Sequence, residues 1–206
     1  MALLRSARVA LPFPPRPVVN AMKSLQGSFL VASPHLPDEN FAKTVIFMVE
    51  HNRDGALGLV LNRVTDASLR EVWRELGDRD VASEQLLYEG GPVEGPLMAL
   101  HGDRDLGGIE VVPRIYFTSE KDTLEELVGR CSLDYRIFSG YAGWGPGQLE
   151  QELKYGGWLT TAARRSLVFS ETHDLWRQVT HAIGDEITKD ALKIKQQHRP
   201  QDPEMN

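Results

Sequence analysis

The stretch that decides the fold runs from Thr44 to Asn62, TVIFMVEHNRDGALGLVLN. Thr44–Glu50 is a short apolar run rich in β-branched residues, and Ala56–Asn62 is a second one of similar length. Both read as strands. Between them stand His51, Asn52, Arg53, Asp54 and Gly55, and Asp-Gly supplies the backbone freedom that a tight reversal needs. The two strands should therefore pair as an antiparallel hairpin.

Upstream, Ser28–Ala32 repeats the apolar pattern and reads as a strand. Downstream, Ser68 and Glu71 have capping-box spacing, and Leu69, Val72, Trp73 and Leu76 share one helical face before Gly77. A helix is expected there directly after the hairpin. Further strands are expected at Gln85–Glu89, Pro96–His101, Ile109–Val112, Arg114–Thr118 and Tyr135–Ser139, with a last one at Ser166–Phe169. Asp122 and Glu125 repeat the capping-box spacing ahead of the stripe Leu124, Leu127 and Val128. Pro146 suits the first turn of a third helix over Gly147–Tyr155, stopped by Gly156 and Gly157. A fourth carries Leu175, Trp176, Val179 and Ile183 on one side. About eight strands and four helices, with hairpins early, predict an α+β domain on an antiparallel or mixed sheet.

The chain has 206 residues, of which 41% are hydrophobic and 25% charged, ordinary values for a globular protein. Residues 1–21 differ: they carry Arg5, Arg8 and Arg16, four prolines and no acid. They read as a disordered arm or an over-extended start, since Met22 offers a second initiation point. Residues 22–188 read as one domain without internal repeats, and Lys189–Asn206 as a disordered tail. Net charge is −6, and without residues 1–21 there remain 20 basic against 29 acidic residues. Such a surface repels a phosphate backbone, so direct DNA binding is not expected. A single cysteine, Cys131, fits a reducing compartment, and no apolar run is long enough to span a bilayer, so the expected address is cytoplasmic.

The glycines locate the candidate site. Of eighteen, six fall within Gly90–Gly108 and six within Gly140–Gly157. In the second window a strand feeds Gly140, Tyr141, Ala142, Gly143, Trp144, Gly145, Pro146, Gly147 and Gln148, then a helix. Free N–H groups at a helix start suit a carboxylate or phosphate. The spacing matches neither the dinucleotide fingerprint nor the P-loop, and on turn chemistry alone each loop serves tight backbone packing. The first window, Gly90, Gly91, Pro92 and Val93, reads as a rigid connection on the same ground. His101, Asp103 and Asp105 stand close in sequence, but without a second His or Cys at ligand spacing they make a polar turn rather than a metal site. No nucleophile elbow is present. No catalytic residue, metal or cofactor is assigned.

Four blocks taken together carry a resemblance: Gly27–Pro34 (GSFLVASP), Gly58–Arg63 (GLVLNR), Gly90–Val93 (GGPV) and Gly140–Glu150 (GYAGWGPGQLE). In this order, from about Met22 to Asp185, they resemble the YqgE/AlgH family of bacterial proteins. The resemblance implies a cytoplasmic α+β protein whose bifurcated sheet folds into a pseudo-barrel. It brings a transcriptional-regulator label and no transferable catalytic activity. Three function classes follow. The first is a regulatory or small-ligand module for a small anion or a protein partner. Its candidate ligand-binding residues are Asn62, Arg63, Gly90, Gly91, Pro92, Val93, Tyr141, Gly143, Trp144, Gly147 and Gln148. The second is the transcriptional regulator of the label, against which stand the acidic balance and the lack of a basic recognition helix. The third is an enzyme on an anionic substrate, with His51, Glu89 and Tyr141 as the available acids and bases. The first class requires that Gly90–Val93 and Gly143–Gln148 lie close together.

Overall fold

A computed structural model describes residues 23–34, 36, 38–77, 81, 83–130, 134–170 and 173–197, with residues 190–197 as backbone only. The expectations for residues 1–21, Cys131 and 198–206 lie outside them. Strand β1 (Ser28–Ala32) lies between β2 (Val45–Asn52) and the late strand β11 (Trp158–Ala162), antiparallel to both. The expected hairpin forms between β2 and β3 (Gly55–Val60), with Gly55 at positive φ. The short β10 (Ala142–Trp144) adds the other edge, so the first sheet reads β10-β3-β2-β1-β11.

The second sheet is built from β4 (Val64–Ser68), β5 (Leu86–Glu89), β6 (Met98–His101), β7 (Ile109–Val112), β8 (Ile115–Thr118) and β9 (Tyr135–Ser139). Its order is β4-β5-β9-β6-β8-β7, and β5–β9 is its parallel pair. The sheet is thus mixed and forked, as expected. Each half keeps two edges and no closed barrel forms. The helices are α1 (Leu69–Glu75), α2 (Lys121–Gly129), α3 (Gln148–Lys154), α4 (Arg165–Val168) and α5 (Leu175–Gln197).

Side-chain alternation explains how the layers stack. Phe29, Val31, Val45, Phe47, Leu59 and Leu61 join Met98, Leu100 and Phe138 of the second sheet and Leu175, Val179 and Ile183 of α5 in one core. The intervening residues Leu30, Ala32, Ile46, Met48 and Val60 face the other way, under Leu149 of α3 and Trp158. The second sheet's far face, with Leu87, Ala99, Tyr135 and Ile137, is covered by α1 and α2. Both faces of each sheet are buried, which is why their strands read as continuous apolar runs. Each fully buried side chain is worth roughly 1.5–3 kcal/mol of transfer free energy.

Several expectations are corrected. Ser166–Phe169 is not a strand: Ser166–Val168 lie in α4 and Phe169 is its C-cap, because a four-residue apolar run carries no period long enough to separate helix from strand. Strands β4, β10 and β11 went unread. The Ser68–Glu71 capping box forms with both of its bonds, whereas α2 starts at Lys121 after Glu120, with no side-chain cap from Asp122. Helix α5 continues to Gln197 where a disordered tail was expected from Lys189. Its composition there, rich in Lys, Gln, Ala and Leu, is good helix-forming material.

Candidate functional site

The two sheets part at a crossing of three backbone segments. One runs from β3 through Leu61, Asn62 and Arg63 to β4, the second leaves β5 at Gly90, and the third runs from β9 through Gly140 and Tyr141 to β10. Val60 N–H donates to the Gly90 carbonyl at 2.9 Å, and Gly90 N–H donates to the Ser139 carbonyl at 2.8 Å. Val93 and Tyr141 exchange two backbone bonds, each of 3.0 Å. A β-carbon on Gly90 would stand 2.2 Å from the Gly140 carbonyl oxygen, and one on Gly91 would stand 2.3 Å from the Tyr141 carbonyl carbon. The glycine windows therefore meet, and at these positions the absence of a side chain lets backbone cross backbone.

The remaining candidates divide. Asn62 is spent on structure: its side-chain carbonyl accepts the Val45 N–H at 2.9 Å and its amide donates to the Lys43 carbonyl at 2.8 Å, pinning the entry to β2. Removing both bonds in Asn62→Ala is expected to cost about 1–2 kcal/mol in a thermal melt. A variant that melts like the wild type would leave the side chain free for another task. The Arg63 carbonyl accepts the Glu89 N–H at 3.0 Å. Gly147 caps α3 at φ 74° with open space around it.

Among the acid and base candidates, His51 is buried. Its Nδ1 accepts the Leu25 N–H at 3.0 Å, which places the proton of the neutral ring on Nε2, donating to Glu150 Oε1 at 2.9 Å. The imidazole thus latches the start of the domain to the first turn of α3. Glu89 is exposed at the end of β5. Tyr141 lies across Gly95 and Gly143, in a groove with Val93, Glu50 and Asp54. No hydrogen bond joins any two of the three among the described residues.

Trp144 and Gln148 do share a cavity, of about 470 Å³, with Phe41 and Asp38 of the 3-10 turn region and with Glu152 and Trp158. The Glu152 carboxylate organises it. Trp144 Nε1 and Trp158 Nε1 both donate to Oε2, at 3.0 and 2.8 Å, and Gln148 Nε2 donates to Oε1 at 3.0 Å. Gln148 Oε1 in turn accepts the Gly145 N–H at 3.1 Å. The rings pack as a trio: Phe41 stacks on Trp144 at 6.3 Å, meets Trp158 edge-on at 5.5 Å, and the two indoles meet at 6.1 Å. Both tryptophans are buried. The result is an aromatic wall with one carboxylate behind it and the exposed Asp38 in front. Among the described residues no lysine or arginine lines it.

These features define a class: a forked, open two-sheet α+β domain with a glycine crossing between its sheets and an aromatic, acidic cavity beside β10 and α3. The AlgH-like family model matches residues 29–188, and the chain belongs to that family of bacterial proteins. A UPF0301 protein of Chlorobium limicola is 35% identical over 177 residues, covering 82% of this chain and 92% of its own. The solution structure of the AlgH protein of Pseudomonas aeruginosa is similar, with a TM-score of 0.66 and 31% identity over 79% of this chain and 89% of that one. The crystal structure of protein DIP2367 from Corynebacterium diphtheriae gives 0.62 and 27%, over 76% and 86%. No described helix is long and apolar enough to cross a membrane.

Proposed function

We propose that the protein is a small-ligand-binding regulatory module whose site is the Phe41, Trp144 and Trp158 cavity, and that its ligand carries a cationic or donor-rich group on an apolar body. The observation that supports this is the pairing of an aromatic wall with Glu152 and Asp38 in a cavity that no basic side chain lines. Aromatic faces and carboxylates both attract a cation, and each repels an anion. The sequence had suggested an anion at this helix start. The charge around it favours the opposite sign. The same acidic surface disfavours a DNA duplex as partner.

Phenethylammonium and 3-phenylpropionate share an apolar body and differ in charge, which makes them the discriminating probes. Trp144 and Trp158 form the wall, so intrinsic fluorescence reads occupancy. The ammonium probe is expected to give a saturable change with Kd on the order of 1 mM, the range for a ligand of this size. The carboxylate should bind at least several-fold more weakly. Asp38→Asn retains the acceptor for the Asn40 N–H while removing charge at the mouth, so it should weaken the ammonium alone. Equal response to the two probes, or tighter carboxylate binding, overturns the reading.

A further inference from the structure

The arginines that the first cavity lacks are gathered elsewhere. A second cleft, of about 620 Å³, opens where the end of β6, the β7–β8 hairpin and the start of α4 meet. Three carboxylates line it: two are paired with arginines, and the third, Glu110, is hydrogen-bonded by neutral donors only. Asp103 takes Arg130 at 3.2 Å, Asp134 takes Arg165 at 2.6 Å, and Glu110 takes both the Tyr116 hydroxyl and the Arg114 N–H at 3.1 Å. Arg104 and Arg114 also line the cleft, and among the described residues neither guanidinium makes a hydrogen bond or an ion pair. The cleft thus gathers two guanidiniums that no carboxylate holds.

The backbone around them is held rather than loose. Arg114 sits at φ 65°, in the left-handed region that a residue with a β-carbon enters at a cost. That φ is what the second position of the two-residue Pro113-Arg114 turn between β7 and β8 requires, and the turn is held in place because the Arg114 backbone N–H donates to Glu110 and its carbonyl accepts Arg165 Nε at 3.3 Å. Gly102 admits the Arg165 side chain: a β-carbon there would stand 2.3 Å from Nη2. Beneath Tyr116, stacked at 5.5 Å, lies His101, wholly buried, with neither ring nitrogen hydrogen-bonded. Burial pushes the His101 pKa down, against the Asp103 backbone and carboxylate, so the ring under the cleft is neutral near pH 7.

We propose that this cleft is a second ligand site, taking a small molecule through an oxyanion held by the guanidiniums of Arg104 and Arg114, with the paired Arg165 as its wall. A phosphoryl group and a carboxylate share this chemistry, since both present oxygens to the planar fork of arginine. Its residues are separate from those of the aromatic cavity, so neither proposal depends on the other.

Calorimetric titration of the full chain with inorganic pyrophosphate and, in parallel, with citrate tests it. At least one probe should bind saturably at low salt and weaken as salt is raised. The Arg104→Ala/Arg114→Ala double variant should lose at least tenfold in affinity. Both side chains are exposed, so its melting temperature should match the wild type. The double Lys variant should recover part of the loss, because charge returns without the fork. Tighter pyrophosphate identifies a phosphoryl ligand, and tighter citrate a carboxylate. Absence of saturable heat with either probe, or a double Ala variant that binds as the wild type does, overturns the proposal.

Discussion

Gly91→Ala is expected to destabilise the domain by about 3 kcal/mol, the upper end of the usual range for overpacking a closely packed site. The new methyl would stand 2.3 Å from the Tyr141 carbonyl carbon and 2.4 Å from both the Tyr141 carbonyl oxygen and the Ala142 nitrogen. All three are main-chain atoms, so no rotamer can yield. Relief requires opening the paired bonds between Val93 and Tyr141, and with them the join between the sheets. Gly147→Ala is the matched control. It too sits at positive φ, but open space surrounds it, so its cost should stay near 1 kcal/mol, the conformational part alone. Urea unfolding of both variants checks the difference. Equal midpoints would mean that the crossing relaxes without loss.

Arg136→Met should have the second-largest effect, a loss on the order of 3 kcal/mol with an unchanged denaturant slope. Arg136 stands on β9 and is only 4% exposed. Its guanidinium donates to the Leu61 carbonyl at 3.1 Å and to the Ser170 carbonyl, and lies 4.9 Å from the centre of the Tyr88 ring. One planar cation thereby ties the β3–β4 passage to the segment after α4. Methionine fills the space but strands both carbonyls, each worth about 1–3 kcal/mol when buried and unpaired, offset in part by the desolvation that the cation no longer suffers. Arg136→Lys should recover little, because a single ammonium cannot serve two carbonyls in the fixed geometry of the fork. A Met variant as stable as the wild type would show that desolvation cancels the bonds.

How much of this could be read in the chain depends on whether a signal was local. The β2–β3 hairpin is written in Asp54 and Gly55, and the start of α1 in Ser68 and Glu71. Both devices close within a few residues. Strand β11, by contrast, is Trp158-Leu159-Thr160-Thr161-Ala162 on a sheet edge, half exposed, and acquires its conformation from pairing with β1 far up the chain. Residue preferences there are too weak to announce it. The two glycine windows meet for a reason that only coordinates supply. Gly90 and Gly91 belong to a crossing rather than a cradle. Phe41, Glu152 and Trp158 went unread because the cavity gathers them from three separate segments. Their one sequence signal was Trp158 directly after a Gly-Gly pair. The Arg104 and Arg114 pair was invisible for a related reason. That they stand without partners follows from which carboxylates other residues had already claimed.

The place of β1 between β2 and β11 governs the order of events during synthesis. Phe29, Leu30, Val31 and Ala32, none with any exposure in the finished fold, leave the ribosome well before most of the residues that cover them. Their hairpin neighbour β2 follows soon after and protects one side. The other side waits for β11, and the Ala32 carbonyl waits for the indole of Trp176, 144 positions later. At bacterial elongation rates that interval is roughly ten seconds or more. For that time the nascent chain presents an apolar strand with an open hydrogen-bonding edge, the kind of surface on which chains associate with one another and which chaperones shield.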